Sequence, residues 1–130
     1  MAEKVVLEYY EMAVPIAAGK RIRMYNSGKV EVTGIGYSFQ AQENIEGKVL
    51  KSFKVSPEVI DSYVKRLIDA KFLELDDNYE DDDESISEGG VEAGLSLNVK
   101  DYSKSVTFSN IAPESNELEQ VIDDLEKLVE

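Results

Sequence analysis

The sequence predicts an α+β fold: a two-layer domain with an antiparallel sheet and two helices on one face, in the order ββββ-α-ββ-α. Three observations carry this reading. Several short runs alternate apolar and polar residues with the period of half-buried strands. Two longer runs place apolar residues at helical spacing, and clusters of Asn, Gly, Asp and Ser divide the strand runs into hairpins.

In chain order, Val5, Leu7 and Tyr9 alternate with Val6, Glu8 and Tyr10, which makes residues 4–14 a strand with both faces covered. Ala17-Ala18-Gly19 is a break. Arg21 to Tyr25 then alternates, with Ile22 and Met24 facing inward. Asn26-Ser27-Gly28-Lys29 is a turn, because Asn and Gly accept positive φ. Val30 to Thr33 resumes the alternation, so residues 20–34 form a hairpin. Gly34 and Gly36 predict a bulge or bend in this third strand, which Tyr37, Phe39 and Ala41 continue. Asn44-Ile45-Glu46-Gly47 is a second turn, and Lys48 to Lys54 is the fourth strand.

The segment from Val55-Ser56-Pro57-Glu58 to Leu73-Glu74-Leu75 is the best-marked helix. Ser56 suits the N-cap, and Pro57 suits the first helical position, where its missing N–H costs nothing. Glu58 complements the positive end of the helix dipole. Ile60, Tyr63, Val64, Leu67 and Ile68 form one apolar stripe, while Asp61, Lys65, Arg66 and Asp69 lie off it. After an acidic loop, Val91, Ala93, Leu95, Leu97 and Val99 alternate with Glu92, Gly94, Ser96, Asn98 and Lys100. With a turn at Asp101–Lys104 and a partner strand at Ser105–Phe108, residues 91–109 form a second hairpin. Ala112-Pro113 ends it. Asn116 with Glu119 has capping-box spacing, and Leu118, Val121, Ile122, Leu125, Leu128 and Val129 stripe the last helix. No linker interrupts the pattern, so residues 1–130 read as a single domain.

The 130 residues are enough to bury a core without metal or disulfide support. The formal net charge of −13 is unevenly spread. Residues 20–54 carry +4, whereas residues 72–99 carry −10 with no Lys or Arg. That field repels phosphate backbones, so no nucleic-acid partner is expected, and it suits a protein with a basic surface. The chain has no Cys and no His, which excludes disulfides, thiol catalysis, Cys/His zinc sites and His-dependent triads. The Met1–Lys4 start lacks a long apolar run and is not a signal peptide, and the apolar run Met12–Ala18 is broken by Pro15. The expectation is a cytoplasmic protein with no membrane partner.

Residues 54–130 resemble, through a Ser-Pro-Glu helix start, the helix end Ala70-Lys71-Phe72-Leu73-Glu74-Leu75, an acidic loop, a hairpin, Pro113 and a final helix, the C-terminal part of small bacterial and archaeal domains of unknown function. The same stretch is similar to emfourin-type inhibitors of metalloproteases. The resemblance implies a protease-inhibitor-like protein and carries over no inhibitory residue.

The candidate partner-binding residues are Asp76, Asp77, Tyr79, Glu80, Asp81, Asp82, Asp83 and Glu84, a run extended by Ser85–Gly90. Carboxylates alternate here in a faint calcium-loop manner, but Asp81 replaces the glycine at the sixth position and Ser87 the glutamate at the twelfth. Low-affinity divalent-cation binding is therefore an alternative, and a solvated acidic loop is the plain reading. Tyr79 would anchor a protein contact, since aromatic side chains often carry interface energy. A small hydrolase is a further alternative, but nothing holds or desolvates a carboxylate pair, and Gly34-Ile35-Gly36 lacks the rest of a dinucleotide fingerprint. No catalytic residue, cofactor or metal ligand is predicted. Arg21, Arg23, Lys29, Lys48, Lys51 and Lys54 would form a basic patch or protect a sheet edge. Tyr9, Tyr10, Tyr25, Tyr37 and Phe39 exceed what two helices cover, which predicts an aromatic, partly apolar open sheet face suited to a partner or a homodimer. The reading as a whole is a non-enzymatic protein-binding domain, acting through the acidic loop or the open sheet face.

Overall fold

The computed structural model describes residues 3–14, 18–38, 42–74, 78–80, 90–99, 102–109 and 116–129. The chain is α+β, with two α-helices and a largely antiparallel sheet among the described residues. The strands before the first helix are β1 (Val5–Val14), β2 (Ala18–Tyr25), β3 (Lys29–Ser38), β4 (Glu43–Asn44) and β5 (Val49–Lys54). Helix α1 (Pro57–Asp69) and a 3-10 turn (Phe72–Glu74) follow. Strands β6 (Asn78–Glu80), β7 (Gly90–Val99) and β8 (Tyr102–Ser109) precede α2 (Asn116–Leu128). The order ββββ-α-ββ-α is thus corrected by two short strands, β4 and β6, neither long enough to show a two-residue period.

The sheet runs β4-β3-β2-β1-β7-β8-β6, and β5 also pairs with β3. β4 and β5 are two pieces of one line along the outer side of β3. β5 pairs with Lys29–Thr33 and β4 with Tyr37 and Ser38. The Asn44–Gly47 turn interrupts this line, and Ile45 N–H donates to Gly36 O (2.8 Å) and Gly47 N–H to Gly34 O (3.0 Å). Gly34 leaves room for it: a Cβ there would stand 2.6 Å from the buried Ile45 side chain. β6 is parallel to β8, the one parallel pair among the described strands.

Turn chemistry sets the first hairpin. Gly28 has φ +96°, and its N–H donates to Tyr25 O (3.0 Å). A Cβ on Gly28 would stand 2.2 Å from Val55 O, because Val55 N–H donates to Gly28 O (2.8 Å) and brings the entry to α1 against the turn.

Register builds the core in rows across the helix-facing side. One row is Val30, Met24, Leu7 and Leu97; the next is Val32, Ile22, Tyr9, Leu95 and Val106. All are buried, in one cluster with Ile60, Tyr63, Leu67 and Phe72, and with Leu118, Val121, Leu125 and Val129 of α2. The α1 stripe differs from expectation at one end: Val64 is half-buried and Ile68 is 42% exposed, because the cluster takes Ile60, Tyr63 and Leu67. α1 also stops earlier than predicted. Lys71 adopts φ +63°, which breaks the helix and lets Phe72 drop into the core from the 3-10 turn.

At the start of α1, Ser56 is the N-cap and accepts from Glu58 N–H (3.3 Å), with Pro57 at N1. Tyr63 Oη donates to Asp124 O of α2 (3.3 Å), and Arg66 Nη2 lies 2.7 Å from Asp124 Oδ2, tying the two helices together.

Candidate functional site

Of the predicted acidic residues, Tyr79 and Glu80 lie in β6, paired with Phe108 and Ser109 of β8. Asp76, Asp77, Asp81, Asp82, Asp83 and Glu84 lie outside the described residues. The acidic run therefore contains the last strand of the sheet among the described residues, a placement that a loop reading does not foresee. Among the described residues, no group of three or more His, Cys, Asp or Glu is placed to hold a metal ion.

Of the residues expected on the open sheet face, Tyr10 lies there and Tyr37 is 40% exposed. Tyr9 is on the other side, in the core, and Phe39 lies outside the described residues. Around Tyr10 the open face is ionic. Arg21 Nε lies 2.8 Å and Arg23 Nε 3.7 Å from Glu8 Oε1. Arg21 Nε is shut off from water without an aligned hydrogen bond, so its link to Glu8 is a charge contact. The Arg21 guanidinium sits 5.7 Å from the Tyr10 ring centre, and Tyr10 Oη donates to Glu92 Oε2 (3.1 Å). Burial, followed by the Glu92 carboxylate, pushes the Tyr10 hydroxyl up to about 12.

The basic residues do not gather into one patch. Lys29 Nζ is 3.4 Å from Glu31 Oε2, and Lys48 Nζ is 3.1 Å from Glu43 Oε1. Lys51 Nζ donates to Val129 O (3.2 Å), just past the end of α2, where a cation also suits the helix dipole.

A second cluster is one that sequence reasoning passed over. The third row of the helix-facing side is Gly34, Lys20, Glu11, Ala93 and Phe108, so a charged pair stands at its centre, whereas the neighbouring rows carry Lys51 and Lys104 only at their ends. Tyr9 Oη donates to Glu11 Oε2 (3.1 Å), and Glu126 of α2 shares a cleft with Glu11. The two glutamates line a cleft of about 630 Å³, with Lys20, Ile45 and Leu50 among its other walls. Burial raises the pKa of both Tyr9 and Glu126 above its ordinary value, with Glu11 the next cause in each case. The signal was present in the sequence: Glu11 is in phase with Leu7 and Tyr9, on the buried side of its strand.

A smaller groove of about 370 Å³ separates the helices, lined by Arg66, Asp69, Glu117 and Gln120. No helix among the described residues is long and apolar enough to cross a membrane. No protein-family model matches the chain, and no curated protein matches it.

Proposed function

We propose that this chain is a non-catalytic protein-binding domain that receives an extended basic segment of a partner protein along the edge at β6. The observation that carries this reading is that β6 is the last strand of the sheet among the described residues and lies inside the stretch 72–99, which has a charge of −10 and no Lys or Arg. A terminal strand is the place where an incoming segment can extend a sheet through main-chain hydrogen bonds, and the surrounding carboxylates select a basic one. The open sheet face is the weaker candidate, because Glu8, Arg21, Arg23 and Glu92 already engage one another or Tyr10 there. The proposed setting is the cytoplasm.

A Lys-rich extended peptide, titrated while backbone-amide NMR signals are followed, tests the proposal. Shifts confined to Asn78–Glu80 and Tyr102–Ser109, weakened at physiological salt where the screening length is about 8 Å, are the expected result. A variant with Asn or Gln at every acidic position from Asp76 to Glu84 should bind much less. Shifts centred on Glu8 and Arg21, or none at all, would reject the β6 edge as the binding surface.

A further inference from the structure

The strand at the other side of the sheet is chemically the reverse of β6. β5 pairs with β3, and among the described residues no strand lies beyond it. Residues 48–54 carry +3 and no Asp or Glu. Five strands, β3, β2, β1, β7 and β8, separate this basic edge from β6. We propose that the extended basic segment received at β6 is β5 of a second copy of this chain, so that copies join head to tail and the sheet of one continues into the sheet of the next. This rests on the reading of β6 as a receiving edge and adds the identity of what it receives.

Charge permits this pairing and opposes its alternatives. Lysines along an edge strand discourage an identical strand from adding to it, since like charges placed opposite each other destabilise a pair. β5 is therefore a poor partner for β5, and the stretch 72–99, at −10, is a poor partner for itself. The unlike edges meet favourably. Their lengths agree as well. β5 bulges at Leu50, because Val49 stands opposite Thr33 and Lys51 opposite Val32. The bulge leaves Lys51–Lys54 as a regular run, against the three residues of β6. Val49 and Leu50, 57% and 50% exposed, leave apolar surface in water at the start of this edge, and pairing would cover part of it.

The basic charge is accessible. Lys54 is exposed, and the contact of Lys48 with Glu43 is an exposed pair that exchanges partners readily. Lys51 keeps its bond to Val129 O and contributes charge alone. Glu43 and Glu46 precede the run, in β4 and the turn after it.

A contact between two different edges is heterologous, and it leaves one open edge of each kind at the ends of any pair. Association therefore continues past two copies. Each chain also carries a net −13, so copies repel at long range. The pairing is strongest where salt hides that repulsion but not the contact between adjoining edges, near the physiological screening length of about 8 Å.

Sedimentation of the folded chain at rising concentration reads this directly. At physiological salt the average mass should climb from 14.5 kDa past twice that value, and it should fall back at about 1 M salt, where the screening length is about 3 Å. Over the same concentrations the backbone-amide NMR signals of Val49–Lys54 and Asn78–Glu80 should shift together, a readout that needs no substitution. Lys48→Glu/Lys54→Glu, which spares the Lys51 bond to Val129, should stay at 14.5 kDa, and so should the variant with Asn or Gln at every acidic position from Asp76 to Glu84. Mixed, the two variants should form a 1:1 pair and nothing larger, since each supplies the edge that the other has lost. A wild-type species that stops at two copies, growth retained by the lysine variant, or folded variants that fail to pair when mixed would each overturn β5 as the segment received. A chain that stays at 14.5 kDa throughout overturns it too. If a Lys-rich peptide then still shifts Asn78–Glu80, the reading of β6 survives with another protein as its partner; if the peptide shifts nothing, both readings fall.

Discussion

Tyr10 and Gly94 stand directly opposite each other in β1 and β7, and the Tyr10 ring occupies the space that a side chain on Gly94 would need. A Cβ there would lie 2.2 Å from Tyr10 Cε1. The glycine allows the ring to lie across β7, with its hydroxyl on Glu92 and the Arg21 guanidinium over its face. Gly94→Ala should therefore displace the ring and cost about 1–3 kcal/mol, the usual range for overpacking. Urea unfolding checks this. The double variant Tyr10→Ala/Gly94→Ala should lose less than the sum of its parts, since the clash vanishes with the ring.

Phe72 is fully buried although it belongs to a three-residue 3-10 turn. It joins the core cluster just beyond α1. Phe72→Ala should cost about 3–5 kcal/mol through lost burial and the cavity left behind. A midpoint shift in urea with an unchanged slope is the expected signature.

Ser56 caps α1 through Glu58 N–H. Ser56→Ala should cost about 1 kcal/mol, and Ser56→Asp should retain most of the stability because its carboxylate also accepts that hydrogen bond. Thermal unfolding of the two variants side by side distinguishes loss of the cap from a general surface effect.

At alkaline pH the tyrosines decide the outcome. Tyr9 and Tyr10 are both held above the ordinary value of 10.0, Tyr10 at about 12, with burial the largest cause. A folded-state pKa above the unfolded one means that the stabilisation is complete below pH 10 and is lost as pH rises beyond it. Stability should decline from about pH 10 upward, and Tyr10→Phe should make that decline shallower. Tyrosine absorbance and unfolding midpoints, followed together, test the link.

The α1 entry, the first hairpin turn, the inward phases of β1, β2, β3 and β7 and the α2 stripe are all legible in the sequence. Each rests on local chemistry: Ser56 and Pro57 for a helix start, Gly28 for positive φ, and period two or 3.6 for a buried face. What local pattern leaves open is whatever depends on a distant neighbour. The acidic run looks like a solvated loop, yet Asn78–Glu80 becomes a strand because β8 supplies the hydrogen bonds. Ile68 belongs to the helical stripe by spacing and is left exposed because the core takes Ile60, Tyr63 and Leu67 from α1. The surplus tyrosines suggest an apolar open face. Register sends Tyr9 into the core and pairs Tyr10 with Glu92 and Arg21.

The sequence by itself determined the α+β class, both helices, the main strands and the absence of thiol and imidazole chemistry, because composition and short-range periodicity are enough for these. Only the tertiary structure decided that the acidic stretch supplies the last described strand of the sheet, that β4 and β5 share one side of β3, and that Glu11 and Glu126 line one cleft. These last are contacts between residues far apart in the chain. Strand register and the seating of α2 bring them together, and no local pattern encodes either.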